Sequence, residues 1–459
     1  MHRTHRARLA ATGLFAAALI ISPTACGNVK DQLLEPQNPG IVDPSSVNSP
    51  DAADALRIGA LGYLRTVTAG SESLWLYGGL LTDEWKSADT FLQRNETDQR
   101  AIQTNNANIN TAYQNIQRSR GYIRDAIEQM VKYLPDSSAN RGELFFALGF
   151  VEMQMGEDFC NGIPLGLARG GIIDYSDPSY TPLTDAAVLA RALAHVDSGL
   201  ALITAQTSTR ATSLKQAALV AKARILVDQG QIAQAAALVP TSAVPTNYQY
   251  LLTFLQTTGD NNLWSFNTSQ GRYTVADSFD ASGVIKNALP FVSAKDSRVP
   301  TADPKKKGFD GQTNLINYSI ARSDPTPLVS GIDARLIEAE GKLAGDDIAG
   351  AMTILNALRG SAQTMGSIKT TVMAPLATPA TKDDAVTLFF REKAFWTFAR
   401  GQRLGDERRL VRQYGRPQDQ VFPVGSFFKN GVYGIDVNLP VTDSEKTNPK
   451  FTGCIDRSA

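Results

Sequence analysis

The apolar positions of this chain recur mostly at helical spacing. In "LKQAALVAKARILVDQG", Leu214, Ala217, Ala218, Ala221 and Ile225 share one helix face, and Gly230 follows as a stop. A second set, Ile232, Ala235, Ala236 and Val239, comes directly after it. "IDARLIEAEGKLAG" repeats the scheme with Ile332, Leu336, Ala339 and Leu343, a stop at Gly345, then Ile348, Ala351, Met352 and Leu355. Small residues at such a seam let two helices approach, and a glycine that accepts positive φ turns the chain back. Two pairs on one scheme predict tetratricopeptide-like helix hairpins, an α–α superhelix. The same periodicity predicts helices over roughly 51–69, 107–134, 138–157, 183–205, 213–229, 231–239, 331–344, 346–359 and 382–413. The fold class is mainly α.

Residues 240–330 break the rhythm. "NNLWSFN" and "TNLINYSI" read as short strands among Gly, Asp, Ser and Pro. A long irregular insertion in a helical scaffold is a common seat of function, so 240–330 is expected to face a ligand.

The N-terminus carries a different pattern. Arg3, Arg6 and Arg8 precede an apolar run from Leu9 to Ile21, and Thr24 and Ala25 stand before Cys26. A basic start, a short apolar core and small residues describe an export signal over 1–25. A cysteine at the cut marks lipidation of Cys26, although Pro23 stands where a lipoprotein signal usually has Leu; a plain signal cut elsewhere is the alternative. Residues 26–50, rich in Pro, Asn and Ser, read as a tether, and 51–459 as a single body. No later stretch approaches the ~20 apolar residues of a membrane helix.

Charge and chemistry narrow the function by exclusion. The 459 residues hold 45 basic and 45 acidic side chains; without the signal arginines the balance is 42 against 45. That argues against a nucleic-acid partner, and Lys305, Lys306 and Lys307 read as a solvated loop. Only His195 lies beyond the signal, within an apolar-periodic helix, so a histidine triad or an imidazole metal site has almost nothing to build on. Asp83 and Glu84 are adjacent, and carboxyls that cleave a glycosidic bond must face one another across it. No cofactor, no metal and no catalysis are expected. Cys160 and Cys454 remain as an even pair in an exported chain, either bridged or as two buried thiols.

Several stretches, in order, resemble the RagB/SusD family of outer-membrane nutrient-binding lipoproteins. "LLTDEW" resembles the family's Asp-containing segment, and "NGIPL", with Gly162 and Pro164, the end of its long helix. "AKDSRV" is similar to its Asp-x-Arg. "DARLIEAEGKLAGDDIAGAMTILNALRG" carries Glu338, Ala339, Glu340, Asn356 and Arg359 in register. "REKAFWTFARGQRLGDERRL" matches at Glu392, Gly401, Arg403 and Asp406, and "LPVTDSEKTNPKF" at Pro440, Glu445, Asn448 and Pro449. Trp396 and Arg400 stand where the family has Glu. The resemblance implies a lipid-anchored protein facing the cell exterior at the outer membrane. It would bind an oligosaccharide or peptide and deliver it to a partner, a TonB-dependent β-barrel transporter. A competing class is a helical-repeat envelope scaffold, with a peptide groove and no aromatic platform.

The motif residues themselves read as structure. "LFFREKAFWTF" is apolar nearly all round, so Glu392 inside it needs a partner, and Trp396 is core. Ligand contacts are expected instead from "DEWKSADTFLQRN" (Asp83, Trp85, Phe91, Arg94, Asn95) and "SQGRYTVADSFD" (Arg272, Tyr273, Asp277, Phe279, Asp280). Sugar rings stack on aromatics, and their hydroxyl rims need carboxylate, amide and guanidinium partners.

Overall fold

A computed structural model describes residues 47–168, 172–255 and 259–459; Cys26, the signal at 1–25 and most of the tether lie outside these residues. Asn48–Ala459 form one compact unit. Its helices are α1 Pro50–Gly62, α2 Leu64–Ala69, α3 Leu74–Leu81, α4 Leu92–Asp98, α5 Ala107–Tyr133, α6 Ser138–Asp158, α7 Asp185–Thr204, α8 Thr209–Asp228 and α9 Ile232–Leu238. After the insertion come α10 Gly331–Ala344, α11 Ile348–Arg359, α12 Lys382–Trp396 and α13 Arg403–Arg412. Consecutive helices from α5 to α9 pack on one another, α9 packs on α10 and α10 on α11. The expected tetratricopeptide-like architecture is present.

Local chemistry sets the helix ends. Thr184, Ser208 and Thr381 accept backbone N–H bonds at the starts of α7, α8 and α12. Ser330 and Asp333 form a reciprocal capping box at α10. Gly230 takes φ +77° after α8. In the second hairpin the left-handed residue is Asp346 (φ +60°), one place beyond the expected Gly345; Asp enters that region more readily than most residues, and its side chain here meets Lys382. The seam of α6 on α7 is a close helix approach. A Cβ at Gly142 would stand 2.5 Å from Ile203 Cγ1, one at Gly149 2.5 Å from Val196 Cγ2, and one at Gly156 3.1 Å from Leu189 Cγ. Three glycines at seven-residue spacing thus meet three branched side chains at the same spacing. By length and composition α7 could cross a membrane, contrary to expectation; in this fold it packs along that seam.

Five further segments depart from the predicted elements. The 51–69 helix breaks at Tyr63, and 382–413 breaks at 397–402, where Ala399 (φ +58°) and Gly401 (φ +64°) leave helical space. "NNLWSFN" is helical, a turn at Asn262–Trp264 running into a wider turn at Ser265–Ser269. Residues 92–98, expected outside any helix, form α4, and 74–81 form α3. Both are short, and α3 is buried on every side, so neither shows an amphipathic stripe.

The strands form two-stranded antiparallel pairs, β2 (Gln249–Leu252) among them with the strand Thr326–Ser330. Two matter for the site. β1 (Trp85–Ser87) pairs with β3 (Tyr273–Val275), with Trp85 opposite Val275 and Ser87 opposite Tyr273. β4 (Phe279–Asp280) and β5 (Gly283–Val284) make a short hairpin. Cys160 and Cys454 are joined by a disulfide with Cα atoms 5.9 Å apart, fastening the C-terminal segment beside the end of α6.

The interior holds matched charges. Glu392 is fully buried and meets Arg298 Nη1 at 2.6 Å and Arg359 Nη1 at 3.0 Å. Arg298 is also held by Asp296 at 2.9 and 2.6 Å. Asp406 accepts from Lys393 at 2.6 Å, and Arg409 bonds to Glu340. Trp396 is core. The motif residues Glu392, Arg403 and Asp406 therefore hold the fold.

Candidate functional site

Pairing of β1 with β3 brings together the two stretches that sequence reasoning proposed, and then divides their residues between core and surface. Trp85 and Tyr273 are wholly buried, contrary to their expected role as an open platform. Trp85 packs edge-on to Tyr318 and against Phe398, with centroids 6.3 and 5.3 Å away; Tyr273 packs on Phe266 at 5.8 Å. Both faces of this narrow ribbon are covered, so strand alternation offers neither ring to solvent. Asp83 is also structural. It accepts from Arg403 at 2.7 and 3.0 Å and from the Leu289 amide at 2.7 Å. Beside it, burial pushes Glu84 up to about 8, against a stabilising bond from the Ala399 amide. Neither carboxyl faces an open cleft.

The surface part is a ledge built by Phe91, Arg272 and Phe309. Phe91 and Phe309 are 47% and 50% exposed. The Arg272 guanidinium lies 5.2 Å from the Phe91 centroid and 3.9 Å from that of Phe309, so it contacts both rings. Arg94 lies beneath, 5.0 Å from both Phe91 and Phe266. Cation–π contacts of this kind contribute ~0.5–1 kcal/mol at exposed sites and more when desolvated.

Asp89 organises the ledge. Its buried carboxylate accepts from the Phe91 amide at 3.0 Å, from Arg272 Nη1 at 3.1 and 2.9 Å, and from Arg94 Nη1. Burial alone would raise this carboxyl, but the hydrogen bonds from Arg272, Phe91 and Arg94 hold it below the usual range. Lys429 donates to the Asp89 carbonyl at 2.7 Å and to Asn95 Oδ1 at 3.0 Å. Asn95 also accepts from Ser87 at 2.7 Å, tying α4 to β1. Phe309 is fixed by its amide bond to the Gly271 carbonyl at 2.8 Å.

Of the expected contacts, Phe91, Arg94, Asn95 and Arg272 thus converge, with Arg94 as support below the surface. Phe279 is exposed on the β4–β5 hairpin, which Lys86 ties down through Asp280; among the described residues no ring or cation contact joins it to the ledge. Asp277 instead accepts from the Ser293 hydroxyl at 2.9 Å. Sequence reasoning missed Phe309, Asp89 and Lys429. Asp89 stands two residues before Phe91, and Phe309, in "KKKGFDG", follows a run of lysines. A large aromatic between two glycines at a loop tip is the signal that would have found it.

Among the described residues no group of three or more His, Cys, Asp or Glu side chains could hold a metal ion. What the site offers is ring faces, amides and a braced guanidinium, which suit recognition.

This is a helical-hairpin scaffold that displays an aromatic ledge where its irregular insertion meets the segment around Phe91. No family model and no curated protein matches the chain. Solved structures do. A SusD-like carbohydrate binding protein from Bacteroides fragilis superposes with TM-score 0.61 at 14% identity, over 88% of this chain and 99% of that one. A putative sugar binding protein from Bacteroides vulgatus gives 0.60 at 14%, over 90% and 99%. A SusD superfamily protein from Bacteroides thetaiotaomicron gives 0.58 at 13%, over 89% and 100%. The chain has the SusD fold.

Proposed function

We propose that this chain is an outer-membrane lipoprotein of the RagB/SusD family, anchored through Cys26. It captures a glycan on the Phe91–Arg272–Phe309 ledge and delivers it to a TonB-dependent β-barrel transporter. The observation that carries this reading is the pair of half-exposed rings braced by one guanidinium, on a fold shared with proteins described as sugar or carbohydrate binding. It acts by recognition and not as an enzyme. Its anchoring is supported by the signal-like residues 1–25, and a free amine on a residue other than Cys26 in mature-protein mass spectrometry would remove that part.

The ligand claim is tested by glycan binding with Phe91→Ala and Phe309→Ala, with turnover followed in the same samples. Each change should weaken binding by about 1–2 kcal/mol, the scale of one stacking contact and its burial, with thermal stability unchanged. Full affinity in both variants, or consumption of the glycan, would overturn it.

A second reading, an envelope scaffold that binds peptides, is favoured by one observation. An open groove of about 630 Å³ lies between α10, α11 and the loop at 241–247, lined by Asn247, Glu338, Thr353 and Gln363 and by no aromatic residue. Peptide binding that survives loss of both ledge rings would support it.

A further inference from the structure

The residues that seat the ledge also cancel its charge. Arg272 places Nη1 on both oxygens of Asp89. Arg94 divides its guanidinium between Asp89 and Glu72, the latter at 2.6 Å. Lys429, beyond its bonds to the Asp89 carbonyl and Asn95, meets Asp310 at 2.8 Å. Three cations therefore meet three carboxylates. Burial would raise Asp310, but bonds from Lys429, from Thr313 and from the backbone bring it down to about 2. Nearby on the same loop as Phe309, Lys305 is paired with Asp303 at 2.6 Å, while Lys307 donates to the neutral Asn314 amide oxygen at 2.6 Å and keeps its charge.

A ligand carboxylate or sulfate at this ledge would have to compete with Asp89 for the two guanidiniums. Charge-assisted bonds are about twice as strong as neutral ones, and these are already made in a buried setting. A hydroxyl-rimmed ring needs no such exchange. It can stack on Phe91 and Phe309 and bond to neutral groups at their margin.

We propose that the ledge selects uncharged oligosaccharides over acidic ones, and that Asp89 sets this choice by neutralising Arg94 and Arg272. The inference rests on the glycan-binding reading above and adds the ligand's charge class to it.

Titration of the full chain with neutral hexose oligomers and with uronic acid oligomers of equal length tests it. The neutral series should bind about tenfold tighter. Its affinity should change less than about twofold between about 50 and 500 mM salt, since no net charge is engaged. Asp89→Asn, which keeps the side-chain shape, should move the neutral-to-acidic ratio at least about fivefold toward the acid. Equal or tighter binding of the uronates, or a steep loss of neutral-oligomer affinity with salt, would overturn the charge assignment, and neither measurement depends on the variant folding. An unchanged ratio in a folded Asp89→Asn protein would overturn the role of Asp89. Binding of neither series would instead overturn the glycan reading, and this inference with it.

Discussion

Replacing Glu392 by Ala should cost more stability than removing either ring of the ledge. Its carboxylate has no exposed surface and accepts from two arginines, Arg298 at 2.6 and 3.3 Å and Arg359 at 3.1 and 3.0 Å. Breaking a buried ion pair from one side typically costs about 3–5 kcal/mol, because the remaining charge stays desolvated. Two features place this case at the lower end. Arg298 keeps Asp296 as a partner, and Arg359 is partly exposed, so water can take over its freed donors. The expected loss is ~3 kcal/mol. Arg298 also lies 5.1 and 5.0 Å from the rings of Phe395 and Trp396, in a setting that an apolar side chain can fill. A second change, Arg298→Met, strands Asp296 but no longer Glu392, so it should cost less in the Glu392→Ala background than alone, by ~1 kcal/mol or more. Denaturant unfolding of the two single variants and the double variant measures all three. A loss below about 1 kcal/mol for Glu392→Ala, or a double variant that loses the sum of both, would refute the reasoning.

Two other perturbations separate core from surface. Trp85→Ala and Tyr273→Ala should each lose about 3–5 kcal/mol of stability, as for large aromatics removed from a packed interior, while the folded fraction keeps its glycan affinity; a stable variant that no longer binds would return that ring to the site. Glu84 has a folded-state pKa raised from 4.5 to about 8, so the folded chain retains a proton that the unfolded chain releases. Its contribution falls as pH rises from 4.5 to about 8 and is level above that. Glu84→Gln removes this slope, so its melting temperature relative to the parent should climb across that window, and parallel melting curves would contradict the assignment.

The sequence made the helical scaffold legible because each hairpin must bury a stripe, and a stripe leaves a period. It made Glu392 legible for a related reason, since a carboxylate in an all-round apolar helix needs a counterion. The ledge was half legible. Phe91 and Arg272 stood in stretches with no period, where exposed aromatics and guanidiniums are free to contact ligand. Trp85 and Tyr273 stood in the same stretches, and nothing local marks them as buried. Their burial depends on Phe398, Tyr318 and Phe266, which arrive from distant parts of the chain. Phe309 and Lys429 reach the ledge by the same long-range folding, and adjacency in sequence carries no trace of it.

The two sets of residues obey different constraints. The motif positions Asp296, Arg298, Glu392, Arg403 and Asp406 are members of buried charge pairs, so changing one strands its partner. Asn356 belongs with them, since it both accepts from and donates to the Leu376 backbone, at 2.7 and 3.1 Å. Phe91 and Phe309 each keep half their surface in water, and the bonds that position them run from their backbone amides to Asp89 and Gly271. Those bonds do not depend on the side chain. A change of ring at either position can therefore alter what is bound without loosening what holds the loop. The chain shares the SusD fold with solved structures at 13–14% identity. The fold is fixed by charge pairs that tolerate few single changes, and the ledge by two rings that tolerate many.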